Sequence, residues 1–127
     1  MATLQNTSFT TSTTTVNVSV STTGTGLAFD KAGFFSATAL TSATNVSWNA
    51  GSNQSAVLVL GHNATVANAT NHANGGVYIL KVTQNSSPKT LAWSTGYKWP
   101  GNSAPTMTTT GGAVDVFTFV SDGTYMY

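Results

Sequence analysis

Apolar and polar residues alternate with period two over several short stretches, and each stretch stops at a cluster of Gly, Ser, Thr or Asn. Val16, Val18 and Val20 alternate with Asn17, Ser19 and Ser21 ahead of a Thr-Gly-Thr-Gly run at 23–26, the pattern of a half-buried strand closed by a turn. Leu27 and Phe29 restart an apolar face. Phe34, Phe35 and Leu40, then Val46 and Trp48, predict further short strands separated by polar turns. Residues 56–60 are apolar throughout and end at Gly61. Such a run predicts a strand covered on both faces, either in the core or in a subunit contact, with the core as the plainer reading.

The second half repeats this style. Strands are predicted at 77–82 and 114–120, with a turn at 85–89 around Ser87-Pro88 and with Leu91 and Trp93 on one face of the strand between. Ser121, Asp122 and Gly123 separate residues 114–120 from 124–127 as a hairpin turn does. The stretch 61–76 is small, polar and turn-prone, so it predicts a surface loop, with a helical turn allowed by its alanines. Residues 2–15 show no periodicity beyond Leu4 and Phe9, which predicts a flexible arm or one extended against a partner. Many short strands and no helix-length periodic segment imply an all-β protein, an antiparallel β-sandwich or barrel. The expected organisation is an N-terminal arm over 1–15 and a single β-sandwich domain over 16–127.

Composition narrows what such a domain can do. The chain has 127 residues and no Cys, which excludes a disulfide framework and Cys-based metal sites. Only 6% of residues are charged, with neither Arg nor Glu present, so solubility rests on hydroxyls and amides. Four Lys against three Asp give a net charge of +1, too little to neutralise a run of phosphates. Nucleic acid and anionic membranes are therefore not expected partners. The first residues carry neither a basic leader nor an apolar signal segment, and no apolar run approaches a membrane span. Export by a signal is not expected, and the Asn-x-Ser/Thr sequons read as a by-product of composition.

The residues that carry chemistry are few. Asp30, Asp115 and Asp122 are the only carboxylate side chains, a poor basis for the paired acids of a glycosidase. Asp122 reads as the turn residue before Gly123, Asp115 as a structural hydrogen-bond acceptor, and Asp30 beside Lys31 as an exposed turn pair. His62 and His72 flank the polar loop at a spacing that fits no common metal motif, so they read as exposed loop residues. No Ser has a His and an acid suitably arranged around it. No enzyme activity and no cofactor are expected. Trp93, Tyr97, Trp99, Tyr125 and Tyr127 form an aromatic group suited to core packing, to a subunit contact or to stacking on a sugar.

The stretch 75–127 adds a resemblance. It contains an aromatic-aliphatic strand from Tyr78 to Gln84, a turn from Asn85 to Lys89, a Trp-bearing strand from Thr90 to Ser94 and a Lys98-Trp99-Pro100-Gly101 corner. An Ala104-Pro105-Thr106 step, a strand from Ala113 to Phe119 and Asp122-Gly123 complete it. In this order the elements resemble a β-structured module of tail fibres, head fibres and other virion surface proteins of tailed bacteriophages. The resemblance implies a sandwich with jelly-roll-like character, a homotrimer, and a place on the virion surface after assembly in the host cytoplasm. Two functions follow as expectations. One is a capsid decoration, cement or head-fibre protein that binds the major capsid protein or another virion protein through its arm, with Ala2, Leu4 and Phe9 as candidate contacts. The other is a fibre-tip receptor-binding module whose aromatic residues meet a host surface glycan or protein.

Overall fold

The structure, a computed structural model, describes Phe35 to Tyr127 apart from Asn53. The arm, with Ala2, Leu4 and Phe9, lies outside the described residues, as do the strand expected at 16–20, the apolar pair Leu27 and Phe29, the Asp30-Lys31 pair and Phe34. The described chain is mostly β, with one short 3-10 turn at Pro100–Asn102. Seven strands follow in order: β1 (Ala37–Ala39), β2 (Asn45–Val46), β3 (Ser55–Leu60), β4 (Ala64–Val66), β5 (Val77–Gln84), β6 (Leu91–Trp93) and β7 (Val114–Val120).

Successive strands alternate between two sheets. The four-stranded sheet has the order β1-β3-β5-β7, and the three-stranded sheet the order β2-β4-β6. Within each sheet β1 to β6 pair in parallel, Ala37 opposite Ser55, Ser55 opposite Ile79, Asn45 opposite Thr65 and Thr65 opposite Ala92. Parallel neighbours require a crossover rather than a hairpin, and here each crossover itself carries one strand of the other sheet. The chain therefore winds, and each turn adds a strand to both sheets. Only β5 and β7 run antiparallel among the named strands, with Val77 opposite Val120 and Thr83 opposite Val114.

This corrects two expectations. The two sheets are mainly parallel rather than antiparallel, because the alternating pattern fixes which face of a strand is buried and carries no information on the direction of its neighbour. The polar stretch 61–76 is not simply a loop, since it contains β4. Ala64 and Val66 point inward and are buried while Thr65 between them is half-buried, so three residues suffice to complete the winding. The strands predicted at 77–82 and 114–120 are present, the first extended to Gln84. The hairpin after β7 is present as well, with mutual backbone bonds between Val120 and Tyr127 of 2.9 and 3.0 Å.

One core joins the two sheets. Leu58, Leu60, Leu80, Val82 and Phe119 come from the larger sheet and Val46 and Val66 from the smaller, all essentially excluded from solvent. Each large aliphatic side chain so buried contributes about 1.5–3 kcal/mol. Trp48, which follows β2, meets Tyr78 and Phe119 edge-on with ring centroids 6.2 Å away in both cases, the geometry preferred by aromatic quadrupoles. The turn after β5 is tied down from within by Gln84. Its buried side-chain amide donates to the carbonyls of Lys89 and Thr108 at 2.9 and 3.0 Å and accepts from the Lys89 N–H at 3.0 Å.

Candidate functional site

The five aromatic residues singled out in the sequence divide into two groups. Trp93 and Tyr97 belong to the packing. Trp93 lies with its ring centroid 4.9 Å from Phe117, 5.0 Å from Tyr97, 5.1 Å from Trp99 and 5.6 Å from Phe119. Its indole N–H is buried without a hydrogen-bond partner. Tyr97 is buried and its hydroxyl donates to the Ala67 carbonyl at 3.1 Å. Burial pushes this phenol well above the ordinary tyrosine range, so it stays protonated and acts as a neutral donor.

Trp99, Tyr125 and Tyr127 instead share a surface cleft. The backbone brings them together: the Lys98 N–H donates to the Met126 carbonyl at 2.7 Å and the Met126 N–H to the Gly96 carbonyl at 3.0 Å. This lays the corner that starts at Lys98 beside the C-terminal residues. Pro100 opens the 3-10 turn, and Gly101 and Asn102 both adopt positive φ, 65° and 56°. Only Gly takes that region without steric cost, Asn being the next most tolerant, which explains the residue types at this corner. Lys98, Trp99, Pro100, Asn102, Tyr125 and Tyr127 line the resulting cleft of about 570 Å³. The Lys98 ammonium sits 4.2 Å from the centre of the Tyr125 ring, a cation-π distance.

Asp122 holds one wall of the cleft. Its Oδ1 accepts the N–H groups of Thr124 and Tyr125, each at 2.7 Å, and its Oδ2 accepts the Tyr127 hydroxyl at 2.8 Å. The Tyr125 and Thr124 amides, then the Tyr127 hydroxyl, hold this exposed carboxyl below the usual carboxylate range. In return the hydrogen bond to Asp122 raises the Tyr127 phenol. The turn role predicted for Asp122 is present, and so is the structural role of Asp115, which accepts from Thr108 N–H and Oγ at 3.1 and 3.0 Å.

A second surface was not singled out in the sequence. The outward residues of the larger sheet are Val59 on β3, Val77 and Ile79 on β5, and Val114, Val116 and Val120 on β7. The registers set Val77 beside Val120, whereas Thr83 stands between Val59 and Val114, Lys81 between Val57 and Val116, and Thr118 beside Ile79. The apolar run at 56–60 is thus buried on one face only: Leu58 is 1% exposed, Val59 59%. Covering on both faces is not found within the described residues. The signal that would have revealed this face was the recurrence of Val at alternate positions of 114–120, outward of Phe117 and Phe119.

The histidines are more engaged than loop residues need be. His72 Nδ1 lies 2.6 Å from Ser121 Oγ, and its ring packs edge-on against Tyr78 with centroids 6.5 Å away. His62 Nδ1 lies 3.3 Å from Ser42 Oγ. Ser121 Oγ also accepts the Gly123 N–H at 2.9 Å, and among the described residues no carboxylate is hydrogen-bonded to His72, so the pair shapes the turn. Among the described residues no three His, Cys, Asp or Glu side chains gather as a metal ion would require, and no helix is long and apolar enough to cross a membrane. Comparison with protein-family models, with curated proteins and with solved structures finds no match to this chain.

Proposed function

We propose that this chain is a structural protein of a tailed-bacteriophage particle, a capsid decoration, cement or head-fibre protein that binds the shell and stabilises or extends it. The observation that carries this reading is the apolar outer face of the four-stranded sheet. Its six aliphatic residues, each near half exposure, share this face with Lys81, Thr83 and Thr118, an exposed apolar area on the order of a few hundred Å², the size that often marks a contact site. Val57, Ala37 and Ala39 extend the face toward β1, and Lys81 lies at its centre.

A second and a third copy of the chain are the proposed occupants, giving a homotrimer with the outer faces of β3, β5 and β7 turned toward each other. Jelly-roll connectivity is not carried forward from the resemblance, since parallel ladders predominate in both sheets. The scarcity of charge suits the same role, because many weak, symmetric contacts on a particle give avidity without strong individual ion pairs. The arm at 2–15 is the proposed shell contact.

Sedimentation velocity and particle binding test the two halves of this proposal separately. The full chain should sediment as a trimer and the Val116→Asp variant as a monomer with unchanged secondary structure. Removal of residues 2–15 should leave the trimer intact and abolish binding to undecorated shells. A monomeric wild-type chain, or shell occupancy unchanged by the deletion, would overturn the corresponding half.

A further inference from the structure

We propose that the cleft between the corner at Lys98 and the C-terminal tyrosines binds an acidic pyranose sugar, a hexose ring bearing a carboxylate. The inference stands on the cleft alone and is independent of where the protein is placed. At about 570 Å³ the cleft falls within the range of small-ligand sites. Three of its six lining residues are aromatic, and of these Tyr125 and Tyr127 remain 38% and 53% exposed. A pyranose ring presents an apolar C–H face and an edge of hydroxyls. An aromatic wall with polar groups at its rim matches both.

The walls are held before any ligand arrives. The Trp99 ring lies 5.1 Å from Trp93 and 5.6 Å from Phe119 by ring centroids. Tyr127 is fixed by its hydroxyl on Asp122 and by its backbone bonds to Val120. Pro100 removes one backbone freedom from the corner. A preorganised wall reduces the ordering cost that otherwise weakens small-ligand binding.

Charge selects the acidic sugar. Lys98 is the one charged side chain among the six lining residues, and within the described residues its ammonium has the Tyr125 ring and no carboxylate partner. The nearby Asp122 carboxylate is not among the lining residues, and its acceptor positions are already taken by two backbone N–H groups and a phenol rather than by Lys98. The Asn102 side-chain amide makes no hydrogen bond within the described residues, which leaves a donor and an acceptor for ring hydroxyls. A proline-rich peptide would use the aromatic wall but offers backbone acceptors without an obligatory anion, and fits the free ammonium less well.

Titration of the nitrogen-15-labelled full chain tests the proposal with four probes: methyl β-glucuronide, methyl β-glucoside, acetate and a proline-rich decapeptide. The glucuronide should shift the Trp99 indole and the Tyr125 and Tyr127 amides at millimolar concentration. It should bind about three-fold tighter than the glucoside at low salt, the range of an exposed ion pair, and this preference should vanish at about 1 M salt. Lys98→Met should remove the preference while leaving glucoside binding. Tyr125→Ser, at an exposed position that leaves the core untouched, should weaken both sugars at least ten-fold with resonances elsewhere unchanged. Inert sugars, equal affinity for glucuronide and glucoside, acetate shifting the same signals as strongly, or binding by the peptide alone would each overturn the assignment.

Discussion

Gln84 and Lys89 exchange hydrogen bonds in both directions, the Gln84 amide donating to the Lys89 carbonyl at 2.9 Å and its oxygen accepting the Lys89 N–H at 3.0 Å. A side chain thereby does what a backbone ladder would do across a turn. Gln84→Leu keeps the volume but leaves the Lys89 N–H and two carbonyls unpaired in a partly buried position. The expected cost is about 2–4 kcal/mol, read as a lower urea midpoint at constant slope.

Neighbouring residues of β3 should respond in opposite ways. Leu58→Ala empties a core site and should cost about 2–5 kcal/mol of stability. Val59→Thr, one residue on and outward, should change monomer stability by less than about 0.5 kcal/mol. Chemical denaturation of both variants on a background that keeps the chain monomeric, such as Val116→Asp, separates the two faces.

Lys81 lies at the centre of the outer sheet face, between Val57 and Val116. In the proposed trimer its ammonium must be carried past apolar neighbours to the rim, as long cationic side chains do. Lys81→Met removes that demand and should tighten the trimer several-fold in its dissociation constant. Unchanged or weakened association in sedimentation would place Lys81 outside the interface.

Asp122 sets an acid dependence for the C-terminal turn. Its folded pKa lies below the unfolded value, so its stabilisation is fully present above the ordinary carboxyl value of about 3.9 and is lost as pH falls through the lowered one. Asp122→Asn should flatten the stability profile on the acid side. Because the backbone amides of Tyr125 and Thr124 contribute more than the Tyr127 hydroxyl, Tyr127→Phe should move the carboxyl only part of the way back, as seen by carbon-13 titration. Tyr127 itself is raised, so its share of stability is present below about pH 10 and fades as pH climbs through the raised value.

The sequence made some of this legible and hid the rest for physical reasons. Apolar content and the flanking turns marked β5 and β7 as strands, but both carry apolar residues on both faces, so alternation did not tell the inward side from the outward one. The Ser121-Asp122-Gly123 turn declared itself by residue type. Strand direction was not legible, since Leu58 faces inward whether its neighbour runs up or down. β4 escaped because Val66 is the only large aliphatic side chain in a run of mostly small and polar residues. Within the aromatic group, nothing in the residue types told Trp93 from Trp99. What separates them is that Met126 docks beside Tyr97 and Lys98, a long-range pairing that lifts Trp99 and the two tyrosines to the rim.

The strand β5 has a parallel neighbour on one edge and an antiparallel one on the other. It is consequently the rung at which the parallel winding of the described strands stops, because the strand on its far edge runs the other way. The corner at Lys98 and the C-terminal tyrosines lie in the segments on either side of β7, so the strand that reverses the direction of the sheet is also the one that brings the two walls of the cleft together.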